Sequence, residues 1–404
     1  MPVAPHIKEI MNNKNSSAIR KMFEEGCALK KQFGSENVFD FSIGNPDLAP
    51  PKEVIQAIKL CAEKETEGIH GYMPNAGYLE AREAMAHKVS KEQGVSVNYD
   101  CIVMTSGAAA ALNCVFKATL SPGDEVIVPS PYFAEYSHYI ANYGGVLVPV
   151  ATKNDFSLDI EKIAASLSAK TAAVLINSPN NPSGKIYSSS EIQELSSALK
   201  KHGSKCGRMP YLICDEPYRA IVYDQNIVAP VFPVYENSVI VTSFAKDLSL
   251  PGERIGYIAV NPSCQDYSEF ISACTFSARI LGYVNAPAFF QRVVSMSWDA
   301  PVDYSSYDNR RKKLMQILDS VGIKYAIPQG AFYIFCQVPP KKNSENLNSN
   351  CSDREFCDHL KKYLVLCASG TGFGFPGWFR MAYCVSDSVI SGCYTQLAKA
   401  IASW

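Results

Sequence analysis

No apolar run in this sequence approaches the roughly 20 residues needed to cross a bilayer. A membrane-spanning helix is therefore not expected. Charge of either sign is not in excess: 38 Lys and Arg against 39 Asp and Glu give a formal net charge of -1. That removes the electrostatic case for nucleic acid or an anionic membrane as a partner. The 14 cysteines form no C-x-x-C pair, and no His/Cys cluster has metal-ligand spacing, so no metal is expected. Histidine is scarce, at six, and falls in no catalytic pattern. The segment Met1 to Arg20 is polar and lacks the apolar stretch of a secretory signal. The cysteines are accordingly expected as free thiols in a reducing, cytoplasmic setting. Internal repeats and low-complexity tracts are also absent.

What is present is a long chain, 404 residues with 47% hydrophobic content. That is ample for a large core, and two domains are expected on size alone. Short apolar runs alternate with amphipathic segments. Ile102 to Thr105, Glu125 to Val128, Val146 to Val150, Ala172 to Ile176 and Tyr211 to Cys214 read as strands. Val239 to Val241 and Ile255 to Val260 read as two more. A helix is expected from about Gly107 and another around Ser190 to Leu195. Strands that are apolar throughout and alternate with helices imply an α/β fold, with a mainly parallel sheet covered on both faces. The alternation fades after about Trp298. A long helix from about Tyr304 to Val321, a strand-like run Ala331 to Phe335 and a polar loop Lys341 to Ser352 follow. The expected division is residues 1–45 as an N-terminal arm and part of a small domain, 46–298 as a large domain, and 299–404 as the rest of a small α+β domain.

Five stretches carry chemistry. Lys246 stands in Ser243-Phe244-Ala245-Lys246, with Arg254 eight residues later in Pro251-Gly252-Glu253-Arg254-Ile255-Gly256. Most lysines are solvated surface charges, but surface lysines seldom sit between two buried-strand patterns. The other four stretches each follow an expected strand, at the end where open α/β sheets bind ligands. Thr105 to Leu112, with Gly107, Ala108 and Ala109, opens a helix whose backbone N–H groups suit a phosphate, although small residues there also serve tight packing. Pro131-Tyr132-Phe133 offers an aromatic to stack on a flat ring, or an ordinary core residue. Asn177 to Gly184 contains Pro-Asn-Asn-Pro, a plausible turn in which Asn181 could donate its amide and Asn181-Pro182 is a candidate cis bond. Asp215-Glu216-Pro217-Tyr218 puts a carboxylate at the end of a buried strand, where it needs a cationic partner or caps a helix.

Taken in this order, these motifs resemble the fold-type-I, class I and II aminotransferases, from Phe41-Ser42-Ile43-Gly44-Asn45-Pro46 to Gly377-Trp378-Phe379-Arg380. The resemblance implies pyridoxal 5′-phosphate as cofactor, joined to Lys246 as a Schiff base. It implies that Asp215 pairs with the protonated ring nitrogen, that Tyr218 and Asn181 bond the ring oxygen, and that Phe133 stacks on the ring. Gly107, Ala108, Ala109, Ser243 and Arg254 would hold the phosphate. Arg380 would grip the α-carboxylate of the substrate as a bidentate pair, with Gly44 and Asn181 beside it. Lys246 would act as the base on the Cα proton, moving an amino group from an L-amino acid to a 2-oxo acid. Tyr72, in Tyr72-Met73-Pro74-Asn75-Ala76-Gly77, would reach the phosphate of a partner subunit, which implies a homodimer with shared sites.

Two positions depart from the aspartate-using relatives: Ala109 stands where some carry a lysine, and Ile280 stands in a stretch where others carry an arginine, the nearest cation, Arg279, being one position out of register. The stretch Cys367 to Gly372 also differs from the family's usual wording. A C–S β-lyase of the same fold would share nearly every residue named. A pyridoxal-phosphate-sensing regulator would need a fused DNA-binding domain, for which the motifs, beginning by about Gly44, leave no room.

Overall fold

Apolar runs in the middle of the chain become one seven-stranded sheet. The computed structural model describes residues 3–12, 18–64, 66–341 and 352–404. The polar loop expected over 341–352 lies, apart from its two ends, outside the described residues. After a short β1 (Phe39–Asp40), the sheet is built from β2 (Ile102–Thr105), β3 (Glu125–Ser130), β4 (Val146–Ala151), β5 (Thr171–Asn177), β6 (Tyr211–Asp215), β7 (Ser238–Ser243) and β8 (Gly256–Val260). Their spatial order is β2-β8-β7-β6-β5-β3-β4. Every residue of β2, β5, β7 and β8 is buried, so both faces of the sheet are covered there, as uniformly apolar strands require. β4 departs from this. It is an edge strand with one neighbour, and Val146 is 49% exposed.

β8 pairs antiparallel with β7 and β2, while the remaining pairings are parallel. Gly256, at the start of β8, is level with both Thr105 and Ser243. One reversed strand therefore delivers Arg254 to the edge where the other strands end. The crowding there selects glycine. A Cβ on Gly256 would collide with the carbonyl of Thr242, and Gly107 has φ +85, a conformation that L side chains seldom adopt. Flanking helices begin and end on local signals. Ser188 and Glu191 form a reciprocal cap on helix Ser189–Cys206, which Gly207 closes in the left-handed conformation.

A second core lies beside the first. β9 (Tyr325–Ala326), β10 (Tyr333–Gln337), β12 (Ala368–Ser369) and β13 (Trp378–Ala382) form an antiparallel sheet, and β1 pairs in parallel with β11 (Val365–Leu366). Helices Ser305–Ser320, Asp353–Lys362 and Asp387–Ala402 supply Leu314, Leu318, Phe356, Leu360 and Leu397 to its interior. The strand expected from Ala331 begins two residues later, at Tyr333. Ala331 has φ 59, and its N–H bonds to Ile221 O at 2.9 Å, which ties it to the segment after β6. Tyr218, Ile221 and Tyr223 belong to this second core, although they lie between β6 and β7 in sequence. Arg311 locks the junction with two bonds to Asp224, at 2.7 and 2.9 Å. The strand ends of the large sheet thus face the small one across a seam. Among the described residues, no helix is long and apolar enough to cross a membrane, and no cluster of His, Cys, Asp and Glu could hold a metal ion.

Candidate active site

The seam contains a cavity of about 190 Å³, lined by Ala108, Ala109, Phe133, Tyr139, Asn177, Asn181, Asp215, Tyr218, Ser243, Lys246 and Arg254 among others. Seven of the residues singled out in the sequence for phosphate or ring contacts thus meet there with Lys246 and Asp215. Gly107 adjoins them: a Cβ on it would lie 3.0 Å from the Arg254 guanidinium. Gly44 and Arg380 adjoin through hydrogen bonds described below. Tyr72 is not brought in; its side chain is 100% exposed.

Asp215 ends β6. Its Oδ2 accepts a 2.5 Å bond from the hydroxyl of Tyr136, while its Oδ1 is buried with no partner. Burial, opposed by the Tyr136 bond, pushes the carboxyl up to about 7. Its backbone carbonyl accepts from Asn177 Nδ2 at 2.8 Å, and Asn177 Oδ1 accepts from the N–H of Asn181 at 2.7 Å. One side chain therefore braces the ends of β5 and β6 and the turn after β5. Of the two roles open to it from the sequence, Asp215 does not take the helix cap: no helix starts after it.

Lys246 follows β7 in the short helix Phe244–Asp247. Its Nζ donates to Gly44 O at 2.6 Å and lies 5.5 Å from the centre of the Phe332 ring. Burial above all brings its pKa down to about 8, with the Arg380 and Arg254 charges acting in the same direction. The shift favours the neutral form of Lys246 that a nucleophile or base requires. Gly44 has no room for a side chain because the Tyr333 hydroxyl occupies the place of a Cβ.

Arg380, on β13, is 3% exposed. It donates to Asn181 Oδ1 at 3.0 Å and Ser42 O at 2.6 Å, and it lies between the rings of Tyr333 and Phe373, at 4.5 and 4.8 Å. It forms no ion pair with a carboxylate among the described residues, and its Nε is buried without a partner. A buried cation without a counter-ion is costly, and an anionic ligand relieves that cost. With its carbonyl end committed to Arg380, Asn181 has its NH₂ end left to donate. The Tyr218 hydroxyl bonds that of Tyr333 at 2.9 Å, and burial keeps Tyr218 protonated far above the ordinary phenol range.

Tyr136, Tyr333 and Tyr139 were missed in the sequence. Tyr136 stands three residues beyond Phe133, close enough to suspect. Tyr333 reads only as part of an apolar strand, and nothing local tells which tyrosine hydroxyl meets a carboxylate across the sheet.

The chain matches the family model for aminotransferase class I and II over residues 36–392. It belongs to that family. A probable aspartate/prephenate aminotransferase of Aquifex aeolicus is 31% identical over 90% of this chain and 91% of its own length. The crystal structure of an amino transferase from Eubacterium rectale superposes with a TM-score of 0.92 at 37% identity, covering 99% of this chain and 98% of that one. An aspartate aminotransferase from Thermus thermophilus, solved with maleate, gives 0.83 at 28% identity over 95% and 96%. The fold is that of the aspartate aminotransferases. The chain is a pyridoxal-phosphate-dependent transaminase, acting on an amino acid and an oxo acid.

Proposed function

We propose that the cavity at the seam holds the cofactor, with Lys246 as its covalent anchor and Asp215 beneath its ring nitrogen. The observation that carries this is the buried, unpartnered Oδ1 of Asp215 in a cavity that also contains Lys246. A protonated pyridine nitrogen supplies the missing partner, and its charge would draw the Asp215 proton off. The other lining groups suit the rest of the molecule. Phe133 presents an apolar ring, Tyr218 and Asn181 present donors, and the start of helix Ala108–Thr119 with Ser243 and Arg254 presents donors and charge for a phosphate.

Bound, pyridoxal phosphate acts as an electron sink for the substrate Cα. The protein's own part is to bind, orient and move protons. Arg380 would hold the α-carboxylate, Asp215 would keep a positive charge on the ring nitrogen, and Lys246 would take the proton from Cα and deliver it to the cofactor carbon that carried the aldehyde. Among the described residues lining the cavity, the cations are Lys246 and Arg254, with Arg380 beside them. Ala109 contributes none, and Arg279 and Ile280 lie outside this cavity on exposed positions. This supports a donor with a neutral side chain that is served about as well as aspartate, the substrate named for several relatives. Tyr72, fully exposed on its loop, serves a second copy of the chain in a cytoplasmic homodimer. Of the described residues, those of 46–298 form the cofactor-holding unit, and those of 1–45 with 299–404 form the smaller one that carries Arg380.

Borohydride reduction of the loaded enzyme followed by peptide mapping tests the anchor. The pyridoxyl group is expected on Lys246, and its recovery on another lysine refutes the assignment.

A further inference from the structure

The peptide that carries Lys246 is a thin wall between two cavities. One is the cavity of about 190 Å³ that Lys246 lines, and behind the next residue, Asp247, lies a second of about 370 Å³, bordered by Lys88, Glu92, Asp247, Trp298 and Tyr304. Behind this wall runs a chain of charges. Asp247 Oδ2 lies 3.9 Å from Lys88 Nζ, Lys88 pairs with Glu92 at 2.8 Å, Glu92 lies 3.8 Å from Arg219, and Arg219 pairs with Glu216 at 2.8 Å. Glu216 is 4% exposed and directly follows Asp215. The two residues assigned to the cofactor are thus each followed by an acid turned away from the site, Glu216 buried and Asp247 partly so, and one helix joins the two acids.

That helix, Leu79–Gln93, is a fixed frame. Arg82 Nε donates to Ile102 O on β2 at 3.0 Å. Gln93 Oε1 accepts from the backbone of Val231 and Phe232 at 2.8 and 3.2 Å. Lys88 and Glu92, four residues apart on one face, project between these anchors. The network has three acids and two bases. Burial pushes Glu216 to about 7 and Asp247 to about 6, whereas the carboxylates around Lys88 outweigh its own burial and raise it. Asp247 is otherwise held by its own local bond to Leu248 N and by the Tyr304 hydroxyl on its carbonyl, at 2.9 and 3.0 Å.

We infer that Lys88 and Glu92 are positioning residues: through Asp247 on one side, and Arg219 and Glu216 on the other, they clamp the peptides that bear Lys246 and Asp215. The inference rests on the reading of Lys246 as the cofactor's anchor. Without the clamp, the wall recedes into the rear cavity, and Lys246 leaves its partly buried place facing Arg380, Arg254 and Cys384. A lysine nitrogen that regains water favours its protonated form.

The test is the pH midpoint of the long-wavelength absorption of pyridoxal phosphate in the loaded enzyme. Lys88→Met and Glu92→Gln are both expected to raise it by ~0.5 pH unit or more, and Lys88→Arg, which keeps the charge pairs, to leave it near wild type. The pair of variants separates positioning from simple electrostatics. Removing the Lys88 charge raises the midpoint on either account. Removing the Glu92 charge lowers it by electrostatics alone, and raises it only if the wall is released. A midpoint that Glu92→Gln lowers or leaves in place overturns the inference. Asp247→Asn carries the same opposed signs and decides the matter if Glu92→Gln does not fold. If the band is missing from the wild type, or persists in Lys246→Ala, it is the cofactor reading that fails instead.

Discussion

Asp215→Asn is expected to make the cofactor-free chain more stable at neutral pH while crippling the loaded enzyme. The carboxyl is buried, has one orphaned oxygen, and rises from an ordinary value near ~3.9 to about 7. A carboxyl whose folded value is raised contributes most to stability below its unfolded value, and that contribution is lost as pH rises toward about 7. The whole span corresponds to roughly 4 kcal/mol, of which roughly 2–3 falls between pH 5 and pH 8. Asparagine never ionises. Its carbonyl still accepts from Tyr136, and its amide in the orphan position costs ~1–3 kcal/mol at every pH. The melting temperature of the variant, relative to wild type, should therefore climb by a few degrees from pH 5 to pH 8, both proteins being free of cofactor. An unchanged difference across that range refutes the claim that burial strains this carboxylate. With cofactor bound the sign reverses. Asparagine cannot neutralise a protonated ring nitrogen, so cofactor stabilises the variant less than the wild type. Its kcat should fall by about 100-fold or more, which is about 2.7 kcal/mol of barrier.

Arg380→Lys keeps the charge but loses the planar fork and the place between two rings; kcat/KM should fall ~100-fold with every amino acid tested, at similar cofactor affinity, and a loss confined to one substrate class would put Arg380 at the side-chain end instead. Aspartate should exceed alanine in kcat/KM by no more than ~10-fold, about 1.4 kcal/mol; a far larger preference would require a distal cation from elsewhere. Lys246→Ala should be inert and Tyr72→Ala impaired. Refolding them together should give more activity than the two parents summed, because each hybrid dimer has one intact site; no gain with hybrids demonstrably formed would mean Tyr72 serves no partner.

The periodicity of the sequence was enough for the strands of the large sheet. β2, β3 and β5 to β8 begin and end within about two residues of apolar runs visible by eye, because a strand covered on both faces cannot carry polar residues without burying them unpaired. The chemistry-bearing motifs were legible for a related reason: Lys246, Asp215 and Asn181 stand at ends of such strands, in local wording that few other constraints would produce. Left to the tertiary structure was whatever depends on groups far apart in the chain. The antiparallel pairing that brings Arg254 beside Gly107 has no local signature. Neither does the bond from Tyr136 to Asp215, 79 residues away, nor the grip of Arg380 on Asn181 across 199. Helix Leu79–Gln93 carries charges along its length, and nothing in its local sequence sets Lys88 or Glu92 apart. Only packing turns its Lys88 and Glu92 inward, because the neighbours that decide whether a charge is solvated or paired come from strands and turns that the local sequence does not contain.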